Sequence, residues 1–444
     1  MQTRVESGQI RLACTLGQHL QRFLDPLLVE LDEHLDKRLV RTFAGTIAAI
    51  LRFRHPRCGL LLSELGAYLT SPLHAPAGTK RLSNLLRSPR WRAEQISDFL
   101  WRGAEERLQQ LEAAEEDALL LWDESVLEKP ESIEAHGLCP VRSSKAQRLK
   151  RIKPGFYTPP GGPPVFVPGL HWLALLLIGR TGPPTLAKMQ WWTTRGVFTS
   201  ARRWEEEDLL RQAVQAWGRR VLHVFDRGFA GSPWLEQLSR THVRFVLRWP
   251  KHYRLLDVQG QERKAWEVAR GKRSQDERLI PQRRRLRRTG LLVLPVAHAR
   301  VPESLWLVIS RPGQGREPWY LLTNERIESA ADAWRVVFAY ARRWQIEMAF
   351  RFTKSELALE SPRLWFWENR LKLLQMVSLT YAFLLQLLQP ALRSLCDSLL
   401  RIACPRTGKR SRETPTPLYR LRIALCALGA ILPTPSLPQL KSSG

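Results

Sequence analysis

Apolar residues recur at helical spacing through the first part of the chain, which predicts a helical segment over residues 1–115. The clearest repeat lies in residues 60–69, and a proline- and glycine-containing stretch, 72–78, then breaks the pattern. A second, basic helix is predicted over 79–87. A helix, a break and a basic helix are typical of a DNA-reading helix-turn-helix unit. A helical bundle with a solvated basic face fits the same pattern, and both interpretations remain open.

Short apolar runs that end at a carboxylate come next, and they predict buried strands. One run covers residues 118–123 and ends at Asp123, and another begins at Val221 and ends at Asp226, with the strand breaking at Gly228. Further strand-like runs lie at 165–167, 171–178 and 243–249, and an amphipathic helix is predicted over 204–217. Strands and helices in this mixed order predict an α/β core with carboxylates at strand ends, a usual location of active sites in open sheets.

The pattern changes between residues 251 and 318, where short β-like runs flank two basic clusters, Lys272-Arg273 and 283–288. This stretch is predicted to be a β-rich insertion with a basic edge that faces phosphates, and a floppy charged loop is the alternative. A strand is predicted again over 319–323, followed by a long helix. The most apolar stretch, 371–388, contains several polar residues and is therefore predicted to be a buried core helix rather than a membrane span.

The charge balance points to a polyanionic partner. The 444 residues include 69 basic and 42 acidic side chains, a net charge of +27, and a general solubility charge is the alternative explanation. An apolar content of 44% excludes a disordered chain. The six cysteines are scattered without zinc-ligand or redox spacing, so we expect reduced thiols in a cytosolic protein. The N-terminus lacks the layout of a signal peptide.

One predicted helix carries four chemically distinctive residues on one face. At 100° per residue, Tyr340, Arg343, Glu347 and Lys354 fall within a sector of about 60°. A carboxylate beside two cations and a phenol is suited to meet a metal ion and a phosphate together. Carboxylates from separate elements are suitable ligands for Mg²⁺. Singly, a glutamate on such a helix is more often a surface ion pair and an aspartate after a strand is more often a turn former, so the signal lies in the combination.

These residues carry a family resemblance. Tyr340-x-x-Arg343-x-x-x-Glu347, followed by six residues and Lys354, resembles the Tyr-Arg-Glu-Lys signature of DDE transposases of the insertion-sequence-four group. Asp123, in Leu-Leu-Trp-Asp-Glu-Ser, and Asp226, in Phe-Asp-Arg-Gly-Phe, are similar to the first and second acids of that family. The resemblance covers roughly residues 115–390.

The resemblance implies a fold and an activity. It implies an RNase H-like core, with a β-rich insertion between the second aspartate and the glutamate, and cut-and-paste transposition through a hairpin at each transposon end. The implied partner is double-stranded DNA, as both the transposon ends and the target. The chain would form a homodimer when it is bound to DNA, and no membrane partner is expected. The place would be the bacterial cytoplasm, at the nucleoid. The predicted domains are 1–115 (helical, DNA-binding), 116–250 (first part of the core), 251–318 (insertion), 319–365 (second part of the core with the glutamate helix) and 366–444 (C-terminal helices, a possible dimerisation region).

The resemblance also implies a role for each site residue. The cofactor would be Mg²⁺, replaceable by Mn²⁺, with two ions expected. Asp123, Asp226 and Glu347 would be the catalytic metal ligands; Tyr340, Arg343 and Lys354 would hold phosphates near the cut; Trp319 and Trp344 match positions that stack on a flipped base.

Two alternatives stay open from the residues alone. Glu124 directly follows Asp123, so the first ligand could be either one; in a strand the two point to opposite faces, and the end of the apolar run favours Asp123. For the whole chain, a non-cutting DNA-binding repressor or domesticated derivative, or an RNase H-like nuclease without strand transfer, are the competing functions.

Overall fold

The N-terminal part of the protein is helical. The computed structural model describes residues 2–53, 59–129, 131, 133–143, 165–282, 285–313, 315–403 and 418–435. The first helices are α1 (Gln2–Asp32), α2 (Lys37–Arg52), α3 (Leu62–Leu69), α4 (Ala75–Arg87) and α5 (Ala93–Ala113). The Asp36 carboxylate caps α2 by accepting from the amides of Arg38 and Leu39, which lack partners inside the helix.

Helices α3 and α4 cross at close range because each contributes a glycine. A Cβ at Gly78 would lie 2.1 Å from the Gly66 carbonyl oxygen, so any larger residue would separate the helices. The predicted break is shorter than expected, because α4 begins at Ala75 and includes Pro76 within its first turn, where a missing amide is tolerated. Whether this pair reads DNA stays a prediction.

A twelve-stranded sheet forms the centre of the molecule. Its strands are β1 (Ala118–Glu128), β2 (Cys139–Arg142), β3 (Phe166–Ile178), β4 (Thr185–Trp192), β5 (Val221–Phe225), β6 (Arg244–Arg248), β7 (Arg254–Leu256), β8 (Glu262–Lys264), β9 (Asp276–Gln282), β10 (Arg285–His298), β11 (Val301–Arg311) and β12 (Trp319–Thr323). The order is β2-β3-β1-β5-β6-β12-β11-β10-β7-β8, with β4 on β3 and β9 on β10. Strand β1 pairs antiparallel with β3 and parallel with β5, which is parallel to β6. The mixed α/β class is therefore confirmed.

Helices cover both faces of the central strands. The remaining helices are α6 (Arg202–Trp217), α7 (Ser232–Arg240), α8 (Ala265–Val268), α9 (Ala330–Arg342), α10 (Trp344–Ser355), α11 (Trp367–Gln386), α12 (Arg393–Ala403) and α13 (Leu418–Leu428). Leu119 and Leu121 of β1 pack into the core that contains α9, α10 and α11, whereas Leu120 and Trp122 pack into the core that contains α6 and α7. Burial on both faces explains the continuous apolar run at the start of β1.

Two predicted strand boundaries are wrong. Strand β1 continues past Asp123 to Glu128, because β3 pairs with it along its whole length. The predicted runs 165–167 and 171–178 form the single strand β3, which passes through Gly169. A Cβ there would lie within 2.5 Å of the Leu127 carbonyl oxygen, so the missing side chain lets the strands stay in contact.

The region between 251 and 318 is β-rich, as predicted. Strands β10 and β11 form a long antiparallel hairpin, and β11 pairs with β12, which pairs with β6. The strands of this region therefore continue the central sheet. The alternative of a floppy charged loop is wrong for the described part, and Arg283 and Arg284 of the basic edge lie outside it.

Helix α11 is buried along almost its whole length, as expected for a core helix. No single described helix is long and apolar enough to cross a membrane; one bent pair, Trp367–Gln386 with Pro390–Ile402, meets the criteria by length and composition. Because α11 packs inside the chain, its buried face cannot supply dimer contacts. The described cysteines, Cys14, Cys139, Cys396 and Cys426, are free thiols, and Cys58 and Cys404 lie outside the described residues.

Candidate active site

Strand alternation separates Asp123 from Glu124. Asp123 follows the alternation of Leu119 and Leu121 and faces α10, whereas Glu124 faces α6. The two carboxylates on adjacent residues therefore belong to different sites.

Asp226 lies beside Asp123 because of the parallel register of two strands. Trp122 of β1 pairs with Phe225 of β5, so the next residue on each strand is an aspartate. After Asp226 the chain leaves the sheet through a short 3-10 turn, Arg227–Phe229, in which the Phe229 amide donates to the Asp226 carbonyl oxygen at 3.1 Å.

The predicted single helix that carries Glu347 is interrupted at Arg343. Helix α9 ends at Arg342 and α10 begins at Trp344, while Arg343 keeps helical backbone angles of −53° and −29°. The Arg343 amide donates to the Tyr340 carbonyl at 3.0 Å, a tighter bond than the α-helical pattern. The expectation of one continuous helical face is wrong in this detail, although the side chains still converge.

Arg343 lies between all three predicted acids. Its Nη1 lies 2.9 Å from Asp123 Oδ2 and its Nε lies 3.7 Å from Asp226 Oδ1. Its Nη2 forms an ion pair with Glu347 Oε1. The side chains of Arg343 and Asp123 are 10% and 16% exposed, whereas those of Asp226 and Glu347 are 31% and 37% exposed, so the pair with Asp123 is the most shielded from water. Three carboxylates thus share one guanidinium, and the group as a whole carries excess negative charge.

Burial and crowding change the proton affinity of this site. Burial raises the pKa of Asp123 to about 7; Arg343 opposes the increase, and the charges of Asp226 and Glu347 add to it. Burial, followed by the charge of Asp226, raises the pKa of Tyr340 to about 12. A bound divalent cation would favour the ionised form of Asp123, so metal binding would release a proton near neutral pH.

Tyr340 connects the acids to strands β6 and β12. Its hydroxyl donates to Asp226 Oδ1 at 2.9 Å and lies 3.5 Å from Arg248 Nη1. Its ring makes an edge-to-face contact with Trp319 at 5.1 Å. Trp319 is partly buried, whereas the side chain of Trp344 points away from the core, with 59% of its surface exposed.

Lys354 contacts β1 in this structure. Its ammonium donates to Ser125 Oγ at 2.8 Å and to the Val126 carbonyl oxygen, and it lies 5.8 Å from the centre of the Trp172 ring. The structure therefore brings Asp123, Asp226, Glu347, Tyr340 and Arg343 together, with Trp319 against Tyr340. It places Lys354 further along β1 and Trp344 at the surface. The roles predicted for all eight residues stay predictions.

Sequence reasoning missed a basic, aromatic cleft next to Asp226. The cleft has a volume of about 670 Å³. It is lined by Arg227, Arg248, Trp249, Pro250, Lys251, His252, Trp266, Glu317, Pro318 and Tyr320. Arg248 lies at the end of β6, which is parallel to β5, and a basic residue at that position could have predicted the cleft.

The carboxylate oxygens of the three acids are suitable ligands for divalent cations, but the Arg343 guanidinium lies among them. All three acids offer oxygen ligands, which Mg²⁺ and Mn²⁺ prefer, and they already surround a cationic group. Among the described residues, no group of three or more His, Cys, Asp or Glu side chains is arranged closely enough to hold a metal ion. The Arg343 guanidinium lies in the space between the acids, so metal binding requires that it move.

One family model matches part of the chain. Residues 201–383 match the family model described as the transposase DDE domain, a segment that contains Asp226 and Glu347. No curated protein matches the chain in sequence. A cryo-EM structure of the piggyBac transposase synaptic complex with hairpin DNA is similar, with a TM-score of 0.41 and 11% identity over 96% of this chain and 80% of that one. The match of residues 201–383 supports a DDE transposase.

Proposed function

We propose that the chain is a cut-and-paste DNA transposase of a bacterial insertion sequence, in the insertion-sequence-four group with the Tyr-Arg-Glu-Lys signature. One observation carries this proposal. Three carboxylates from separate elements face one guanidinium in a partly buried site, and the excess negative charge is best balanced by further cations. The charge of +27 supports DNA as the partner.

Asp123, Asp226 and Glu347 would hold the metal, Mg²⁺ or Mn²⁺, with two ions expected. Bound in such a site, two divalent ions activate a water or a 3′-hydroxyl and stabilise the leaving oxygen of a phosphodiester. The strands fix two of the acids side by side, and α10 brings the third. The strand order β3-β1-β5-β6, with β3 antiparallel and the others parallel, supports an RNase H-like core.

Arg343 would exchange partners during the reaction. Its guanidinium now pairs with all three acids, and cations held there would free it to bind a DNA phosphate, for which its planar fork is suited. The Tyr340 hydroxyl and the Lys354 ammonium are a second and a third phosphate donor from the same side of β1. Phosphate contacts of this kind position the DNA backbone rather than read its sequence.

The two tryptophans would act on the distorted DNA end that forms the hairpin. Trp344 offers an exposed ring for stacking, and Trp319 lies against Tyr340 at the border of the site. Stacking would offset part of the cost of flipping a base, which is a few kcal/mol. Residues 1–115 and the insertion would bind the rest of the transposon end, and the chain would act as a homodimer at the bacterial nucleoid.

Cleavage of the element's terminal inverted repeats tests the proposal. With Mg²⁺ or Mn²⁺, the purified chain should cut this DNA, and Asp226→Asn should reduce cutting by roughly 10³-fold or more while it leaves DNA binding intact. Asp208→Asn is the matched control, because Asp208 pairs with Arg211 at 3.3 Å on α6, on the other face of the sheet. Normal cutting by Asp226→Asn would refute the metal assignment. DNA binding without any cutting by the unaltered chain would favour a repressor.

A further inference from the structure

A second charged cluster lies on the opposite face of β1, directly behind the acids. Arg202 of α6 forms an ion pair with Glu124, Nη2 to Oε2 at 2.6 Å. The same guanidinium pairs through Nε with Glu206 Oε1 at 2.9 Å, one helical turn later. The Glu206 side chain is fully buried and that of Glu124 is 21% exposed, so both carboxylates need a close cation.

Arg202 also reaches the turn that follows Asp226. Its Nη2 donates to the Gly228 carbonyl oxygen at 3.0 Å, and its guanidinium lies 5.8 Å from the centre of the Phe229 ring. Phe229 is buried against Phe225 of β5 and Trp122 of β1. One side chain therefore contacts the residue after Asp123 and the second and third residues after Asp226.

This contact lies where the strand ladder stops. The parallel pairing of β1 with β5 ends at Trp122 and Phe225, one residue before the two aspartates. The ladder therefore sets the register that brings Asp123 and Asp226 side by side, but none of its residue pairs includes the two aspartates themselves. The bridge from Glu124 through Arg202 to Gly228 spans this gap from behind.

We propose that Arg202 is a positioning residue that holds the Asp123 and Asp226 carboxylates at the spacing that metal binding requires. The inference rests on the proposed function, because it assigns these aspartates to a metal site. It also gives Glu124 a role: Glu124 anchors the bridge and is not a ligand.

Arg203 provides a matched control on the same helix. It pairs with the same glutamate, Nη1 to Glu206 Oε2 at 2.8 Å, and lies 5.1 Å from the centre of the Trp234 ring. Those contacts reach neither Glu124 nor the turn at Gly228. Arg203→Ala thus removes the same charge, a pair with Glu206 and a ring contact, and it leaves the bridge in place.

Amide hydrogen exchange tests the bridge itself. The amides of Phe229 and Ala230 are bonded within the turn, so their exchange reports how firmly the turn is held. Arg202→Ala should speed their exchange by about tenfold in the full-length, DNA-free protein, the effect of losing a charged hydrogen bond, whereas Arg203→Ala should not. Equal exchange in the two variants would overturn the proposal.

Mn²⁺ binding tests the positioning role. Mn²⁺ affinity can be measured by electron paramagnetic resonance at a temperature at which all variants are folded. The affinity of Arg202→Ala should fall roughly tenfold or more, as it does when other residues that orient metal ligands are removed. The affinity of Arg203→Ala should not fall. Saturating Mn²⁺ should restore DNA cleavage by Arg202→Ala. If that variant does not fold, Arg202→Lys replaces it, because a lysine keeps the charge but cannot make all three bonds.

The outcomes separate this inference from the function on which it rests. Mn²⁺ binding by the unaltered chain, together with wild-type affinity in Arg202→Ala or Arg202→Lys, overturns the positioning role and leaves the transposase proposal standing. Absence of Mn²⁺ binding by the unaltered chain overturns both. Arg202→Ala could also bind Mn²⁺ more weakly and still fail to cleave DNA at saturating Mn²⁺. That result would assign Arg202 a purely structural role and would also overturn the proposal.

Discussion

The two faces of β1 carry charge clusters of the same chemistry but of different balance. On the α10 face, three carboxylates surround the single guanidinium of Arg343. On the α6 face, Glu124 and Glu206 pair with two guanidinium groups, those of Arg202 and Arg203. With every carboxylate ionised, the second cluster is neutral as a group, whereas the first has two negative charges in excess.

This difference in charge balance is consistent with different roles for the two clusters. Burying a charge costs free energy unless a partner compensates it, so a cluster that serves only stability tends to be balanced. An excess of one sign in a shielded place destabilises the chain, and such a cost is typical of sites that bind a ligand of opposite charge. Perturbed pKa values alone would not distinguish the faces, because burial raises the pKa of both Asp123 and Glu124 to about 7.

The largest effect should follow removal of Arg343. Arg343→Ala leaves the three acids without a cation, and we expect the metal-free protein to lose about 3–5 kcal/mol of stability, as for other broken buried pairs. Mn²⁺ should restore much of this loss by binding the folded state. Denaturant unfolding with and without Mn²⁺ measures both effects. Arg342→Ala, one residue earlier, is the control; an equal loss there, or no response to Mn²⁺, would contradict the charge imbalance.

A smaller gain should follow neutralisation of Asp123. Its folded pKa, raised to about 7 from an ordinary 3.8, means that the acid contributes stability below about pH 4 and that this contribution is lost as the pH rises through 7. Asp123→Asn should therefore stabilise the metal-free protein at pH 8 by about 1–3 kcal/mol. The gain should shrink as the pH falls from 7 to 4, which denaturant unfolding at several pH values would measure. A gain independent of pH would contradict the explanation.

The smallest effect concerns His223 on the α6 face of β5. Its Nδ1 accepts from Trp122 Nε1 at 3.1 Å, and burial lowers its pKa to about 3, with a further contribution from the charge of Arg244. The unfolded chain binds a proton below about pH 6.5 and the folded chain does not, so stability falls as the pH decreases from 6.5 towards 3. The loss should be about 1.4 kcal/mol at one pH unit below 6.5. His223→Gln should remove this part of the acid sensitivity, and an unchanged pH profile in the variant would argue against it.

Local patterns in the sequence predicted the elements that hold the acids. Apolar runs identified the starts of β1 and β5, and the helical repeat identified the residues around Glu347. Those signals are local, since they arise from burial of neighbouring residues. The position of Arg343 among the acids is not local, because Asp123 lies far away in sequence and only the packed sheet brings the pair together. The interruption of the helix at Arg343 could not be predicted, because no proline or glycine lies there in the sequence.

The pairing of Glu124 with Arg202 could not be predicted from the sequence, because these residues are far apart in the chain and meet only in the packed fold. Strand alternation alone showed that Glu124 and Asp123 point to opposite faces, but not which partner either would meet. Residues 165–167 and 171–178 were read as two strands because Pro168 and Gly169 interrupt the apolar pattern. In the sheet, the pairing of β3 with β2 and β1 overrides that local signal.

The continuity of the β10–β11 hairpin with the central sheet has a mechanical consequence. Strand β12 is bonded to β11 on one side and to β6 on the other, with Leu321 opposite both Val308 and Arg248. Force applied to the hairpin would therefore pass through the hydrogen bonds between these paired strands. It would arrive at Arg248 and, through it, at Tyr340 and the carboxylate of Asp226.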